Sequence, residues 1–167
     1  MASVTGSAAD AWEVRLQIDG VTNTIRALRN LAPDLSRRLR ASLRGAGNRI
    51  ASFADASLAR VSPDDAPGAY KTRMRIKHGE FQVSVYAATK NAAIFEFAGK
   101  ANPGGVTPQG AAMISWLNGY ASPGRFLWDA WDQIGGSVQA EMLADIQAAE
   151  AELQVRLDAG TGRGQVT

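Results

Sequence analysis

The chain has 167 residues, 46% apolar and 20% charged, with 18 Lys and Arg against 16 Asp and Glu for a net charge of +2. This is the length of one domain with room for a core. It contains no Cys and one His, which excludes disulfide frameworks, thiolate nucleophiles, Cys-based zinc sites and any two-His metal motif.

Residues 1–11 read as a flexible arm, and the opening MASVTGSAADAW lacks the basic-then-apolar pattern of a secretory signal. From Trp12 to Asp19 apolar and polar residues alternate strictly, with Trp12, Val14, Leu16 and Ile18 on one side, which predicts a half-buried strand. A short helix follows from Thr24 to Ala32, with Ile25, Leu28 and Leu31 on one face. Pro33 then opens a long second helix, Asp34 to about Arg60, because its fixed φ suits a first helical turn. Leu35, Leu39, Leu43, Ala46, Ile50, Phe53 and Leu58 form its apolar stripe, and Arg37, Arg38, Arg40, Arg44 and Arg49 its basic face.

After the loop VSPDDAPG, residues 69–88 read as a hairpin turning at His78-Gly79. Tyr70, Thr72, Met74 and Ile76 share one face of its first strand; Lys71, Arg73, Arg75 and Lys77 share the other. The segment AAIFEFAG, residues 92–99, leads into a Gly/Pro-rich loop at 99–106. Thr107-Pro108 starts a helix capped at Gly119. Ser122-Pro123 starts a long C-terminal helix whose apolar spacing, Phe126 through Leu153, persists to about Asp158, with a kink expected at Gly135-Gly136. Residues 159–167 read as a flexible tail. The expectation is a single α+β domain over residues 12–158: a small antiparallel sheet of at least three strands flanked by long helices. No apolar run reaches the roughly 20 residues needed to cross a bilayer.

Charge is unevenly spread. Residues 1–60 carry nine bases and five acids (+4), residues 101–167 three bases and seven acids (−4). Unlike surfaces on one chain suit head-to-tail contact between copies, which closes into a ring when the rotation allows. The row Lys71, Arg73, Arg75 and Lys77 puts four cations on one strand face, repulsive unless an anion faces them. It reads as lining a DNA path or gripping an acidic neighbour, as do Arg37, Arg40 and Arg44. No interleaved aromatic platform accompanies the row, which argues against sequence-specific nucleic-acid recognition.

Motifs for chemistry are scarce. Gly45-Ala46-Gly47 lies within a helical stripe and lacks a third glycine, so it is no dinucleotide fingerprint. Asp64-Asp65 suits a turn, and Asp129 and Asp132 suit the first turns of a helix. Glu96, between Phe95 and Phe97, is the best acid for catalysis because aromatic neighbours raise a carboxyl pKa, yet no partner stands beside it in sequence. No catalytic, metal-binding or cofactor-binding residue is assigned.

The order of these parts resembles the neck proteins of long-tailed phages, the gp-ten-like putative tail-component family. That family's Val/Ile-Glu-Phe-Gly-Thr stretch corresponds here to Ile94-Phe95-Glu96-Phe97-Ala98-Gly99, and its Pro-x-Pro-Phe-Leu-x-Pro-Ala to Pro123-Gly124-Arg125-Phe126-Leu127-Trp128-Asp129-Ala130. The first match carries an extra residue before Glu96, Ala98 before Gly99, and Lys100 for Thr; the second lacks its second proline. The resemblance implies a non-enzymatic head–tail connector subunit of the virion, assembled in the host cytoplasm without a cofactor. Its copies would form a ring around the DNA channel, between the head-side connector and the tail-tube or tail-terminator proteins, with no membrane partner. It also implies that Phe95, Phe97, Gly99, Pro123, Phe126, Leu127 and Trp131 serve packing or interfaces, and that Glu96 meets a partner or bonds backbone amides at a helix start. The alternatives are a tail terminator or tail-completion protein, a small hydrolase using Glu96, and a cytoplasmic DNA-binding module.

Overall fold

In a computed structural model of the chain the described backbone covers residues 3–10, 13–19, 21–77, 80–98, 107–120 and 125–161, and the described side chains cover 22–76, 81–98, 107–119 and 125–159. Four strands and five helices follow in the order β1 (Ser3–Asp10), β2 (Glu13–Asp19), α1 (Val21–Leu31), α2 (Pro33–Ala59), β3 (Tyr70–Lys77), β4 (Glu80–Ala87), α3 (Lys90–Phe97), α4 (Pro108–Tyr120) and α5 (Leu127–Thr161). The α+β character and the long second and C-terminal helices agree with the periodicities in the sequence.

The expected sheet needs correction. The part described through its side chains is a two-stranded antiparallel hairpin, β3–β4, in register from Tyr70↔Ala87 to Lys77↔Glu80. The backbone continues beyond it in an arrangement the sequence did not suggest. β2 pairs with β4 and not with β3, and β1 runs outside β2, giving the order β1-β2-β4-β3. Residues 3–10, read as part of an arm, are thus β1. SVTGSAAD contains one large apolar residue, Val4, so no period-two pattern stands out in it. The hairpin turn at 78–79, the Gly/Pro-rich loop at 99–106 and residues 162–167 of the tail lie outside the described residues.

The helices stack on one face of the hairpin. Leu35, Leu39, Leu43, Ala46, Ile50 and Leu58 of α2 are all buried, with Phe53 packed at the margin. Against them lie Phe81, Val83 and Val85 from β4 and Val138, Met142 and Ile146 from α5. The α5 stripe runs unbroken through Gly135-Gly136, where a kink was expected; one continuous helix of 35 residues, about 50 Å long, spans 127–161. Leu31, assigned to the apolar face of α1, is 60% exposed, because α1 ends there and the chain turns at Ala32 into α2. The eight-residue α3 was not foreseen. Thr89 caps it, its Oγ1 accepting from Ala92 N at 3.1 Å, while Ala92 and Glu96 point inward.

α2 reaches the sheet closely because of one glycine. A Cβ on Gly47 would sit 2.6 Å from Thr72 Cγ2 and 2.9 Å from Val83 Cγ1, two stiff β-branched side chains. Gly45, two residues away, is exposed with nothing within 4 Å of such an atom. Opposite effects should follow from the same substitution. Gly45→Ala should stabilise by about 0.5–1 kcal/mol through helix propensity, whereas Gly47→Ala should destabilise by about 1–3 kcal/mol through overpacking. Urea unfolding of the two variants measures both signs, and a stabilised Gly47→Ala would refute the close approach.

Candidate functional site

The segments around Glu96 and Phe126, some thirty residues apart in sequence, meet in space. Glu96, on the inward face of α3, is fully buried. One carboxylate oxygen, Oε1, accepts from Leu127 N at 3.0 Å; the other, Oε2, accepts from the Tyr70 hydroxyl at 2.8 Å and from Phe126 N at 3.1 Å. Phe126 and Leu127 open α5, so the carboxylate satisfies amides at a helix N-terminus that would otherwise be orphaned, where the helix dipole favours negative charge. The usual cap comes from the preceding residue in sequence; here it arrives from another helix.

Arg125 completes the arrangement from the opposite side. Its guanidinium is almost wholly buried, 4% exposed. Nη1 donates to the carbonyls of Phe95 and Glu96, Nη2 to the Ala98 carbonyl and Asn118 Oδ1, and Nε to the Leu117 carbonyl. One cation therefore gathers the carbonyl ends of both α3 and α4, where positive charge is favoured, and it needs the planar five-donor fork that only Arg provides. Phe126 and Leu127, each 1% exposed, follow it into the core, Phe95 and Trp131 pack at its margin, and Phe97 is half-buried. Gly99 and Pro123 lie outside the described residues.

Burial pushes the Glu96 carboxyl above the usual carboxylate range, opposed by the Tyr70 hydroxyl, the two amides and the charge of Arg125. Burial, with the Glu96 charge, likewise pushes the Tyr70 phenol up, and burial draws Arg125 down against the attraction of Glu96. Of the two roles foreseen for Glu96, display to a partner is corrected by its burial; bonding amides at a helix start is what the structure contains. Tyr70 and Arg125 went unrecognised in sequence. Arg125 did leave a signal, as one of only three bases in the acidic stretch 101–167.

The basic residues separate into two groups. Along the α2–α5 seam Arg38 pairs with Glu152, Arg49 with Glu141, and Arg156 with Asp34 and Glu152. Ser42 bonds Asp145 across the same seam, and Thr24 of α1 bonds Glu150 of α5. Part of the basic front and part of the acidic back therefore pair within one chain. Arg37 and Arg44 are exposed and Arg40 half-buried, none with an ion pair among the described residues. Lys71 and Arg73 project from the sheet face turned away from the helices; Arg73 lies 5.0 Å over the Tyr86 ring, and Arg75 Nε donates to Gln82 Oε1 at 3.2 Å. The Lys77 side chain is outside the described residues.

No group of three or more metal-ligating side chains exists among the described residues, and no described helix is long and apolar enough to cross a membrane. Comparison with protein-family models, curated proteins and solved structures finds no match.

The clamp can be tested by subtraction. Tyr70→Phe should cost about 1–2 kcal/mol, and Arg125→Ala, which strands several carbonyls and an uncompensated carboxylate, about 3–5 kcal/mol. The pH dependence carries a sign. A carboxyl whose pKa is raised on folding contributes stability in full below its unfolded value, about 4.3, and loses it as pH rises through the folded value. Stability relative to Glu96→Gln should accordingly fall as pH rises above the unfolded value. A difference that grows with rising pH in urea titrations would overturn the assignment.

Proposed function

We propose that this chain is a structural subunit of the head–tail junction of a long-tailed phage, acting as a connector in a ring of identical copies around the DNA channel. The observation that carries the reading is the clamp itself. The two short segments resembling the neck family lie some thirty residues apart and are joined by Glu96 to Phe126 and Leu127, and by Arg125 to Phe95, Glu96 and Ala98. Paired motifs that exist to lock three helices together suit a protein whose task is to hold shape under load.

Glu96 fits this reading better than a hydrolytic one. A general acid needs a face open to substrate, and this carboxylate is fully buried with both oxygens occupied by donors of its own chain. The adjacent tail-terminator role remains the nearest variant of the proposal, since both would use a rigid subunit in a ring.

With Arg38, Arg49 and Arg156 paired within the chain, we take apolar side chains to supply most of the contact between copies. Trp116 on α4 is 54% exposed and Ile94 on α3 is 40% exposed, unusual for side chains of that size. Mass photometry and negative-stain electron microscopy of the purified chain should reveal closed rings whose population changes little between low and high salt. Trp116→Ala should reduce ring formation at least tenfold in protein concentration while leaving the subunit's melting temperature within about 2 °C, as for a surface change. A chain that stays monomeric at every concentration and enters no larger particle would defeat the proposal.

A further inference from the structure

β1 and β3 are the outer strands of the sheet, whose order is β1-β2-β4-β3. Backbone groups on the outer side of an edge strand point away from the sheet and are open to another strand. Which groups these are follows from the hydrogen-bond phase, because residues along an antiparallel strand address their two neighbours alternately. Ala88 N donates to the Ala69 carbonyl at 2.7 Å, one step before the unbroken β3–β4 register, so Lys71, Arg73 and Arg75 bond β4 through their backbone. Thr72, Met74 and Ile76 therefore turn their amides and carbonyls outward. Tyr70 shares their phase, and its amide bonds Asp55 at 2.9 Å instead of β4. Among the described residues nothing bonds the amides of Thr72, Met74 or Ile76.

The phase carries across the sheet. Ile76, Phe81, Ile18 and Val4 form one row, and Arg75, Gln82, Gln17 and Thr5 form the next. In the first row the β3–β4 pair is non-hydrogen-bonded, the β4–β2 pair bonded and the β2–β1 pair again non-bonded. Val4 on β1 therefore also turns its amide and carbonyl outward. Every pairing is antiparallel, so β1 and β3 run in opposite directions. An even number of antiparallel strands thus gives two complementary edges. The β1 edge of one copy meets the β3 edge of another in antiparallel sense, in matching phase, and with the same face toward the helices.

Self-pairing of β3 fits less well. Any register that keeps the faces aligned sets cations from Lys71 to Arg75 against the same cations of the partner, and like charges directly opposite are unfavourable. β1, SVTGSAAD, carries no cation. Its one large apolar residue, Val4, stands in the row that ends at Ile76, an apolar side chain left 52% exposed at the edge.

We infer that β3 accepts β1 of a second copy of this chain as an added antiparallel strand, with Ile76 opposite Val4 and Arg75 opposite Thr5. The inference rests on the proposal that copies of the chain assemble, and it names the segments that meet. The contact is heterologous, and such contacts close into a ring when the rotation allows. Backbone bonds fix direction and register there, while the apolar contact proposed above supplies most of the affinity.

The chain contains no Cys, so introduced thiols report the contact without background. Within one chain Arg75 and Thr5 end the same row, about 14 Å apart at three strand spacings. A disulfide needs Cα atoms about 4.4–6.8 Å apart, so the two positions cannot be bridged internally. Between copies they form a non-hydrogen-bonded pair about 4.5 Å apart. Mild oxidation of the full chain carrying Thr5→Cys with Arg75→Cys should yield a ladder of covalent multimers on non-reducing gels, and each single variant should yield monomers. Adding Met74→Pro removes an outward amide without touching the β4 ladder and should lower the multimer yield about tenfold. Monomers alone from the double variant, dimers from Thr5→Cys alone or from Arg75→Cys alone, or a yield indifferent to Met74→Pro would each overturn the inference. Electron microscopy of the same samples separates its failure from that of the connector reading. Rings without the cross-link refute the strand contact only, and cross-linked open filaments refute the ring only.

Discussion

A carboxylate removed from water must be paid for, and nearly everything distinctive about this fold follows from how Glu96 meets that cost. Alone it would be expelled or neutralised. It is retained because α5 begins directly beneath it with two free amides, the Tyr70 hydroxyl reaches it from the sheet, and Arg125 stands close by. Each partner needs it in turn. The start of α5 has no other acceptor for the Leu127 amide among the described contacts, and Arg125 holds the α3 backbone in the position that presents Glu96. Geometry and charge are thus mutually enforcing across β3, α3, α4 and α5. Buried networks of this type contribute more to specifying one arrangement than to net stability, because a half-satisfied version is worse than none.

A second constraint acts on the surface. Antiparallel packing of α2 against α5 brings the arginine-rich and acid-rich stretches of the sequence together along one seam, where Arg38, Arg49 and Arg156 find carboxylates. Exposed pairs of this kind add little stability individually. Their consequence lies in what they occupy: the acids of these pairs are engaged within the chain, while Arg37 and Arg44 stand exposed elsewhere on α2. A net charge of only +2 therefore conceals a strongly polarised surface, and polarity of that sort governs encounter with polyanions more than it governs folding.

The sequence by itself determined the elements with long, regular apolar periods. The α2 stripe from Leu35 to Leu58, the α5 stripe from Val138 to Ile146 and the hairpin alternation of Phe81, Val83 and Val85 were legible because burial selects side chains at 3.6- or 2-residue spacing, and local pattern alone records that selection. It also marked Glu96 as unusual by setting a lone acid between two phenylalanines. Tertiary structure alone decided the remainder. β1 contains one large apolar residue, Val4, and so shows no period-two pattern, α3 is too short for a period to emerge, and strand order depends on pairing between distant segments. The partners of Glu96 lie roughly 26 to 31 residues away in sequence, and a carboxylate's hydrogen bonds reach only about 3 Å. Whether it faces substrate, solvent or a helix start is therefore settled by which segments the fold brings within that distance. Likewise, the difference between Arg38, neutralised in the seam, and Arg37, left exposed one residue earlier, is a rotation of about 100° around one helix, and it acquires meaning only once α5 and β3 occupy opposite sides.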